Sequence, residues 1–288
     1  MIKITSIDKF KVGQNIYGFY QSIFKEKKIS KNGDYYIDLM LRDSTGQING
    51  KIWKFSNFYD SSFSEGDLVA VKGEIKRYRQ KLFLEIANIS LLNFDRYKKY
   101  GFSNDDIYPS IDESTNLILK KIKKDINTLE SPFKDLLIKI YDYYSDEIKT
   151  YPDDLFSNRY NKKGSLILKI YNALKISKSM YKNNILIDKD IIFSGILLKY
   201  IGRIIQYDYN VVFSLSEIGK SENCFILSRD IIKKFSNKKN FPSKLINELI
   251  DIILYQYEHK KVSDQDYKAH IVYTVFELEK SFSIALSK

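Results

Sequence analysis

The spacing of apolar residues changes character once along the chain. Up to residue 92 they alternate with polar ones or form short runs between turn residues, the pattern of strands. From Ser114 they recur every three or four positions, the pattern of helices. Asn15 to Phe24 has mixed alternation around Gly18, and Tyr35, Ile37, Leu39 and Leu41 alternate with polar partners. Asp43-Ser44-Thr45-Gly46 predicts a hairpin turn with positive φ at its glycine. A third strand follows over 47–54, and 55–63 is read as a short helix or a loop. Glu65-Gly66-Asp67 turns into a strand over 68–75, and Tyr78-Arg79-Gln80 turns into the last, over 81–91.

Five short strands with a connection between the third and fourth predict an OB-fold, a small Greek-key barrel. Its second and third strands and the loops beside them commonly face oligonucleotides. In the second part, Leu117, Ile118, Ile122, Ile126 and Leu129 define a helix, and Ser131-Pro132 is read as the cap and first residue of the next. Further helices are predicted over 164–180, 188–207, 224–235, 242–257 and 265–285. Leu166, Ile170, Leu174, Ile192, Ile196, Leu197, Ile201, Leu245, Leu249 and Ile253 are their expected core. Residues 93–110 lack a steady period and read as a connection. Strands followed only by helices mean two domains of different class: a five-stranded barrel over 1–92, a linker over 93–112 and an all-α domain over 113–288.

Composition adds a direction to this division. The chain has 288 residues, 44% of them hydrophobic, which is enough for two cores. Its net charge is +11, and residues 1–100, with 18 basic and 11 acidic side chains, carry most of it. A basic first third points to a polyanion, and nucleic acid comes before membrane because no basic amphipathic helix is present there. A lysine-rich composition from an AT-rich genome accounts for part of the same signal. With Cys224 as the single cysteine there is no disulfide framework, and no segment approaches the length of a transmembrane helix. The expectation is a soluble, cytoplasmic protein.

Stacking surfaces for bases and cations for phosphates are what single-stranded binding requires. Tyr36, Lys51, Trp53, Arg77, Tyr78, Arg79, Lys81 and Phe83 supply both if their strands present them outward. Core positions are the alternative for Trp53, Tyr36 and Phe83, because strand phase is uncertain by a residue. An ordinary solvated hairpin tip is the alternative for Arg77, Arg79 and Lys81. Catalytic chemistry is thin. There is no glycine-rich phosphate loop, and His259 and His270 are the only histidines, both read as surface residues. Asp153-Asp154 and Asp188 with Asp190 are read as helix-start capping residues ahead of magnesium ligands.

Two resemblances sharpen this picture. Leu41-Arg42-Asp43-Ser44-Thr45-Gly46-Gln47-Ile48, followed by Gly66-Asp67 and Val71-Lys72-Gly73, resembles OB domains of the tRNA-anticodon-binding type. Gly195-Ile196-Leu197-Leu198-Lys199-Tyr200-Ile201-Gly202-Arg203 resembles the central helix of HD-domain phosphohydrolases, with Lys199-Tyr200 where the metal-binding His-Asp pair stands. Together the two parts resemble the YhaM-type 3′→5′ exoribonucleases, which join an OB-fold to an HD domain. That resemblance places Asn158-Arg159-Tyr160 at an Asn-His-His run and Lys169 at the first ligand histidine. It also places Lys220 of Ile218-Gly219-Lys220 at a histidine, Gln256-Tyr257 at a His-His pair, and Phe276 and Glu279 at acidic ligands. Of these only Glu279 has metal-ligand chemistry, so no metal and no cofactor is expected.

The expected function is therefore binding of single-stranded nucleic acid, RNA ahead of DNA, by a relative of an exoribonuclease that has lost its metal ligands. One alternative is residual 3′→5′ exoribonuclease activity through a rebuilt carboxylate site. Another is a subunit that assembles, with itself or with other proteins, through the helical domain. A last expectation concerns Lys169, Lys199 and Lys220: their ammonium groups converge on the former metal pocket as a phosphate seat, with Arg159 and Arg203 at its rim.

Overall fold

The computed structural model describes residues 4–93, 96–97, 102, 107–157, 159–183, 188–210, 212–236, 241–255 and 267–285. Asn158, Gln256, Tyr257 and His259 lie outside them. The chain divides into two compact units, Met1–Ser110 and Ile111–Lys288.

The first unit is a closed barrel of β1 (Asn15–Ile29), β2 (Tyr35–Arg42), β3 (Gln47–Ile52), β4 (Leu68–Tyr78) and β5 (Lys81–Leu91), in the order β1-β2-β3-β5-β4. Neighbours are antiparallel except β3 and β5, which run parallel and close the barrel. The alternating residues fill it: Ile37, Leu39 and Leu41 of β2, Val69, Val71 and Ile75 of β4, and Leu84 and Ile86 of β5 are all buried. A short helix, α1 (Ser56–Ser62), joins β3 to β4 and buries Tyr59. Of the stretch read as a connection, Phe102, Ile107 and Tyr108 are buried, with Phe102 edge-on to Phe19 at 5.2 Å and the Arg42 guanidinium 5.0 Å above Tyr108.

Two local expectations need correction. Gly46 does not have positive φ; Asp43 shapes that turn instead, accepting from the backbone N–H groups of Thr45 at 2.7 Å and Gly46 at 3.0 Å. β1 and β4 also run beyond their expected ends, to Ile29 and Tyr78. There the residues are charged, so Lys25 to Lys28 and Lys76-Arg77 carry no apolar alternation for a pattern to detect.

The second unit packs α2 (Thr115–Ile126), α3 (Phe133–Tyr143), α4 (Ser145–Thr150), α5 (Ser165–Asn183), α6 (Lys189–Leu198), α7 (Arg203–Gln206), α8 (Glu217–Ser221), α9 (Cys224–Phe235), α10 (Ser243–Leu254) and α11 (Tyr267–Ala285). The expected core residues are buried here, apart from half-buried Leu245. Between α7 and α8 lies a small hairpin, β6 (Tyr207–Tyr209) with β7 (Phe213–Leu215), which an all-α reading missed.

The helix expected over 188–207 breaks at Lys199–Gly202. Gly202 donates its N–H to Ser228 Oγ at 2.8 Å, and a Cβ on Gly202 would overlap the carbonyl oxygen of Cys224. This close approach to α9 needs glycine. Gly195 is likewise pressed against Ile252 and Val272, so the small residues of this stretch are explained by packing. Ser131 does not cap α3; its hydroxyl donates to Asp135 at 2.8 Å. Among the described residues no helix is long and apolar enough to cross a membrane.

Candidate nucleic-acid interface

Strand phase decides which aromatic residues of the barrel face water. Because Ile37, Ile52 and Leu84 point inward, Tyr36, Lys51 and Phe83 point outward on adjacent strands β2, β3 and β5, and Trp53 follows in the phase of Lys51. The indole and the Tyr36 ring stack, 4.6 Å apart and 28° from parallel. Lys51 Nζ lies 5.3 Å from the centre of Tyr36, 5.4 Å from Trp53 and 6.0 Å from Phe83. Acidic neighbours do not claim it. Asp38 and Glu85 flank Lys51 across the sheet, but Asp38 pairs with Lys28 at 2.8 Å and Glu85 pairs with Lys76. Among the described residues Lys51 forms no ion pair, so the rings alone hold its ammonium in place.

The β4–β5 hairpin continues this face. Arg79 and Gln80 have φ of 44° and 67°, the positive values a two-residue turn needs to match strand twist. Tyr78 and Lys81 are paired across the hairpin and share the outward phase of Phe83. Tyr78 is 64% exposed, and the Arg79 guanidinium lies 5.4 Å above its ring. Arg77 is the exception. It pairs with Leu82 in the phase of Ile75, so it leaves the hairpin on the other side and does not join the aromatic face. The structure therefore brings together Tyr36, Lys51, Trp53 and Phe83, extends them with Tyr78, Arg79 and Lys81, and separates Arg77.

In the helical unit, the expected convergence of three lysines is corrected. Lys169, on α5, is buried and donates to Asp153 Oδ2 at 2.7 Å, with its ammonium 3.9 Å from the centre of the Tyr200 ring. Burial pulls its pKa down, but Asp153 and Tyr200 outweigh that effect and the net shift is upward. Arg203 Nε approaches the other oxygen of the same carboxylate at 4.0 Å. Asp153 is thus the counter-ion of a buried cluster and not a helix cap. Sequence reading missed this role because the pair spans 16 residues without a motif.

Lys199 is buried but turns elsewhere. Its ammonium donates to the carbonyl oxygens of Ile252, Ile253 and Tyr255 at 3.3, 2.9 and 2.9 Å, closing the C-terminal end of α10. Burial pushes its pKa down to about 8. Lys220 is on the surface, paired with Glu217 at 2.6 Å. Of the five basic residues, Lys169 and Arg159 line a cavity of about 500 Å³, which Glu279 and Tyr160 also line.

The donor set there does not fit a metal. Glu279 accepts from Tyr160 Oη at 3.2 Å and burial raises its pKa, while Asp153 is committed to Lys169. No group of three or more His, Cys, Asp or Glu suited to an ion exists among the described residues. Asp188 and Asp190 stand at the start of α6 as expected, at its N-cap and in its first turn, but Asp188 makes no side-chain cap bond and pairs with Lys268 at 3.2 Å, while Asp190 accepts from the Glu130 N–H at 2.9 Å. His270 is half-buried, its ring edge-on to Tyr255 at 6.4 Å.

The barrel's class is independently matched. Residues 22–92 fit the tRNA anti-codon family, described as an OB-fold nucleic acid binding domain. Beyond the barrel, the chain is similar to proteins named 3′-5′ exoribonuclease YhaM. The one from Oceanobacillus iheyensis is 26% identical over 195 residues, 67% of this chain and 60% of the relative. That from Geobacillus sp. strain WCH70 is 23% identical over 214 residues, 73% of this chain and 64% of the relative. The resemblance to YhaM-type exoribonucleases thus holds over two thirds of the chain, which spans about 60% of the length of these relatives. Among solved structures, the second OB-fold domain of replication protein A from Methanococcus maripaludis is 22% identical, with a TM-score of 0.27, covering 32% of this chain and 96% of that one. Rim1, a mitochondrial single-stranded DNA binding protein of S. cerevisiae, is 14% identical, with a TM-score of 0.25, covering 29% and 98%.

Proposed function

We propose that this chain binds single-stranded nucleic acid, RNA in preference to DNA, through the outward face of β2, β3 and β5 and the tip of the β4–β5 hairpin. The observation that carries this reading is Lys51, a cation held over three rings on a water-facing sheet while the acids beside it pair with other lysines. Bases stack on such rings whatever their identity, and phosphates take up such charge, so affinity with little sequence preference follows. The basic excess of residues 1–100 supports the same partner. The preference for RNA rests on the relatives, whose names describe exoribonucleases.

The helical unit is, on this reading, an HD-type frame without metal ligands, and the chain does not trim RNA. Support comes from the positions that the resemblance assigns to ligands: Lys169 is tied to Asp153 and Lys199 to backbone carbonyls. An ammonium neither binds a divalent ion nor lowers the pKa of a bound water. The test uses the full chain with labelled single-stranded RNA and DNA. Salt-sensitive binding that favours RNA and is weakened by Trp53→Ala is expected, with no shortening of the RNA when magnesium or manganese is added. Salt-independent or absent binding would remove the interface, and metal-dependent 3′ trimming would remove the claim of inactivity.

A further inference from the structure

Phe55 stands out because its backbone and its side chain are both in unfavourable places. With φ 57° and ψ 32° it is in the left-handed region, which a bulky side chain occupies only under strain. Its ring is 75% exposed to water. Glycine or asparagine would make this β3-to-α1 connection with less strain and expose no ring. Neither the barrel core nor the helix that follows uses the phenyl group: Tyr59 and Phe63 anchor α1 to the barrel from the buried side. Lys25 fixes the end of that helix, donating to the carbonyls of Asp60 at 2.6 Å and Phe63 at 2.5 Å. Phe55 is thus presented from a pinned element.

Its surroundings carry the chemistry of a nucleic-acid track. Trp53 forms a wall common to two grooves. One, of about 590 Å³, runs toward the β1–β2 loop past Lys31 and Tyr35; the other, of about 470 Å³, is lined by Phe55, Lys54 and Lys72. Two acids in the second groove, Glu74 and Glu85, face Lys76 and pair with it. Among the described residues Lys54 and Lys31 form no ion pair.

We infer that Phe55 is a second base-stacking platform, and that a single strand crossing the Tyr36–Trp53 face continues over Trp53 into the groove of Phe55, between Lys54 and Lys72. The inference rests on the proposed binding face and extends it beyond β2, β3 and β5 to the β3–α1 connection. It explains why a phenylalanine occupies a backbone position suited to glycine: the strain holds a ring in a groove that Lys54 and Lys72 also line, ready for a base.

The test compares Phe55→Ala, Phe55→Gly, Phe55→Trp and Trp53→Ala in the full chain, with a fluorescently labelled oligouridylate as probe and thermal unfolding alongside. Loss of the ring should weaken binding by roughly 5- to 150-fold, the range for one stacked base. Phe55→Gly should melt above both wild type and Phe55→Ala, since it removes the left-handed strain, while Phe55→Trp should bind within about twofold of wild type. Affinity and stability then move in opposite directions in one variant, which a structural role for the ring does not allow. Wild-type binding by both Phe55→Ala and Phe55→Gly, with binding lost in Trp53→Ala, would overturn the inference and leave the face standing. Binding unaffected by any of these changes, or absent from the wild type, would overturn both.

Discussion

Lys51 and Lys169 both place an ammonium over aromatic rings, and the difference between them separates the two units. On the barrel, Lys51 is half-buried among three rings with no carboxylate attached, so its charge is available to a ligand. In the helical unit, Lys169 sits closer to a ring, 3.9 Å from the centre of Tyr200, but is buried and bound to Asp153. Taking an ammonium out of water costs several kcal/mol, which the buried Asp153 carboxylate offsets for Lys169. One lysine carries its charge to the surface without an acid, and the other has found its partner inside. A cation–π contact therefore says little about binding until the nearest acids have been located.

The largest expected effect breaks the buried side of that comparison. Asp153→Ala leaves Lys169 and Arg203 buried without their shared carboxylate, and should lower unfolding stability by about 3–5 kcal/mol in urea titrations. Lys169→Met should cost less in the Asp153→Ala background than alone, because the pair is one unit. Equal costs in both backgrounds would mean that the two side chains do not depend on each other.

Lys199 gives the next effect, read in pH. Its folded pKa of about 8 lies below its ordinary 10.5, so between those values the unfolded chain binds more protons. Stability from this group therefore rises with pH across that window, by up to ~3 kcal/mol, and below pH 8 the group adds no slope. Tyr200 and Tyr207, both pushed up to about 12 by burial, act in the opposite direction above about pH 10. The comparison with Lys199→Met isolates the lysine: that variant should lose the rise between pH 8 and 9.5. An unchanged rise would assign it to another group.

Much of the fold was legible because burial writes periodicity into the chain. The five strands and most helices were found where one face meets a core, as at Ile37, Leu39 and Leu41 or at Leu166, Ile170 and Leu174. Where a strand is built from charged residues, as in the outer halves of β1 and β4, or where an element is only three residues long, as in β6 and β7, there was no apolar period to read. The aromatic face was legible for the same reason: Tyr36 and Lys51 alternate with Ile37 and Ile52, while Arg77, one residue out of phase with Tyr78, was misplaced. The buried cluster was not legible. Nothing in the local sequence joins Asp153 to Lys169 or Lys199 to Ile253, since these contacts are made by packing between distant elements.

A smaller effect sharpens the exposed side. Arg79→Glu with Lys81→Glu reverses charge at the hairpin tip beside the Tyr78 ring and should weaken RNA binding at low salt. It should also flatten the dependence of affinity on salt by roughly 0.7 in log–log slope for each phosphate no longer neutralised. Arg77→Glu, on the other side of the hairpin, should change that slope least. A larger effect from Arg77 than from the other two would move the track to the opposite side of the hairpin.

The smallest effect comes from Lys220, and its size decides whether the helical unit has any outward-facing cation at a position the exoribonuclease resemblance assigns to a metal ligand. Its side chain is 58% exposed and that of its partner Glu217 is 91% exposed, three residues away on the same short helix. The hydrogen bond from Lys220 holds the Glu217 carboxyl below its ordinary pKa, but water and salt screen such a pair. Lys220→Ala should leave the unfolding midpoint and the RNA affinity unchanged at physiological salt, in contrast to Asp153→Ala for stability and Trp53→Ala for binding. A loss of affinity in Lys220→Ala that persists as salt is raised would place nucleic acid on the helical unit as well. The barrel would then hold only part of the track.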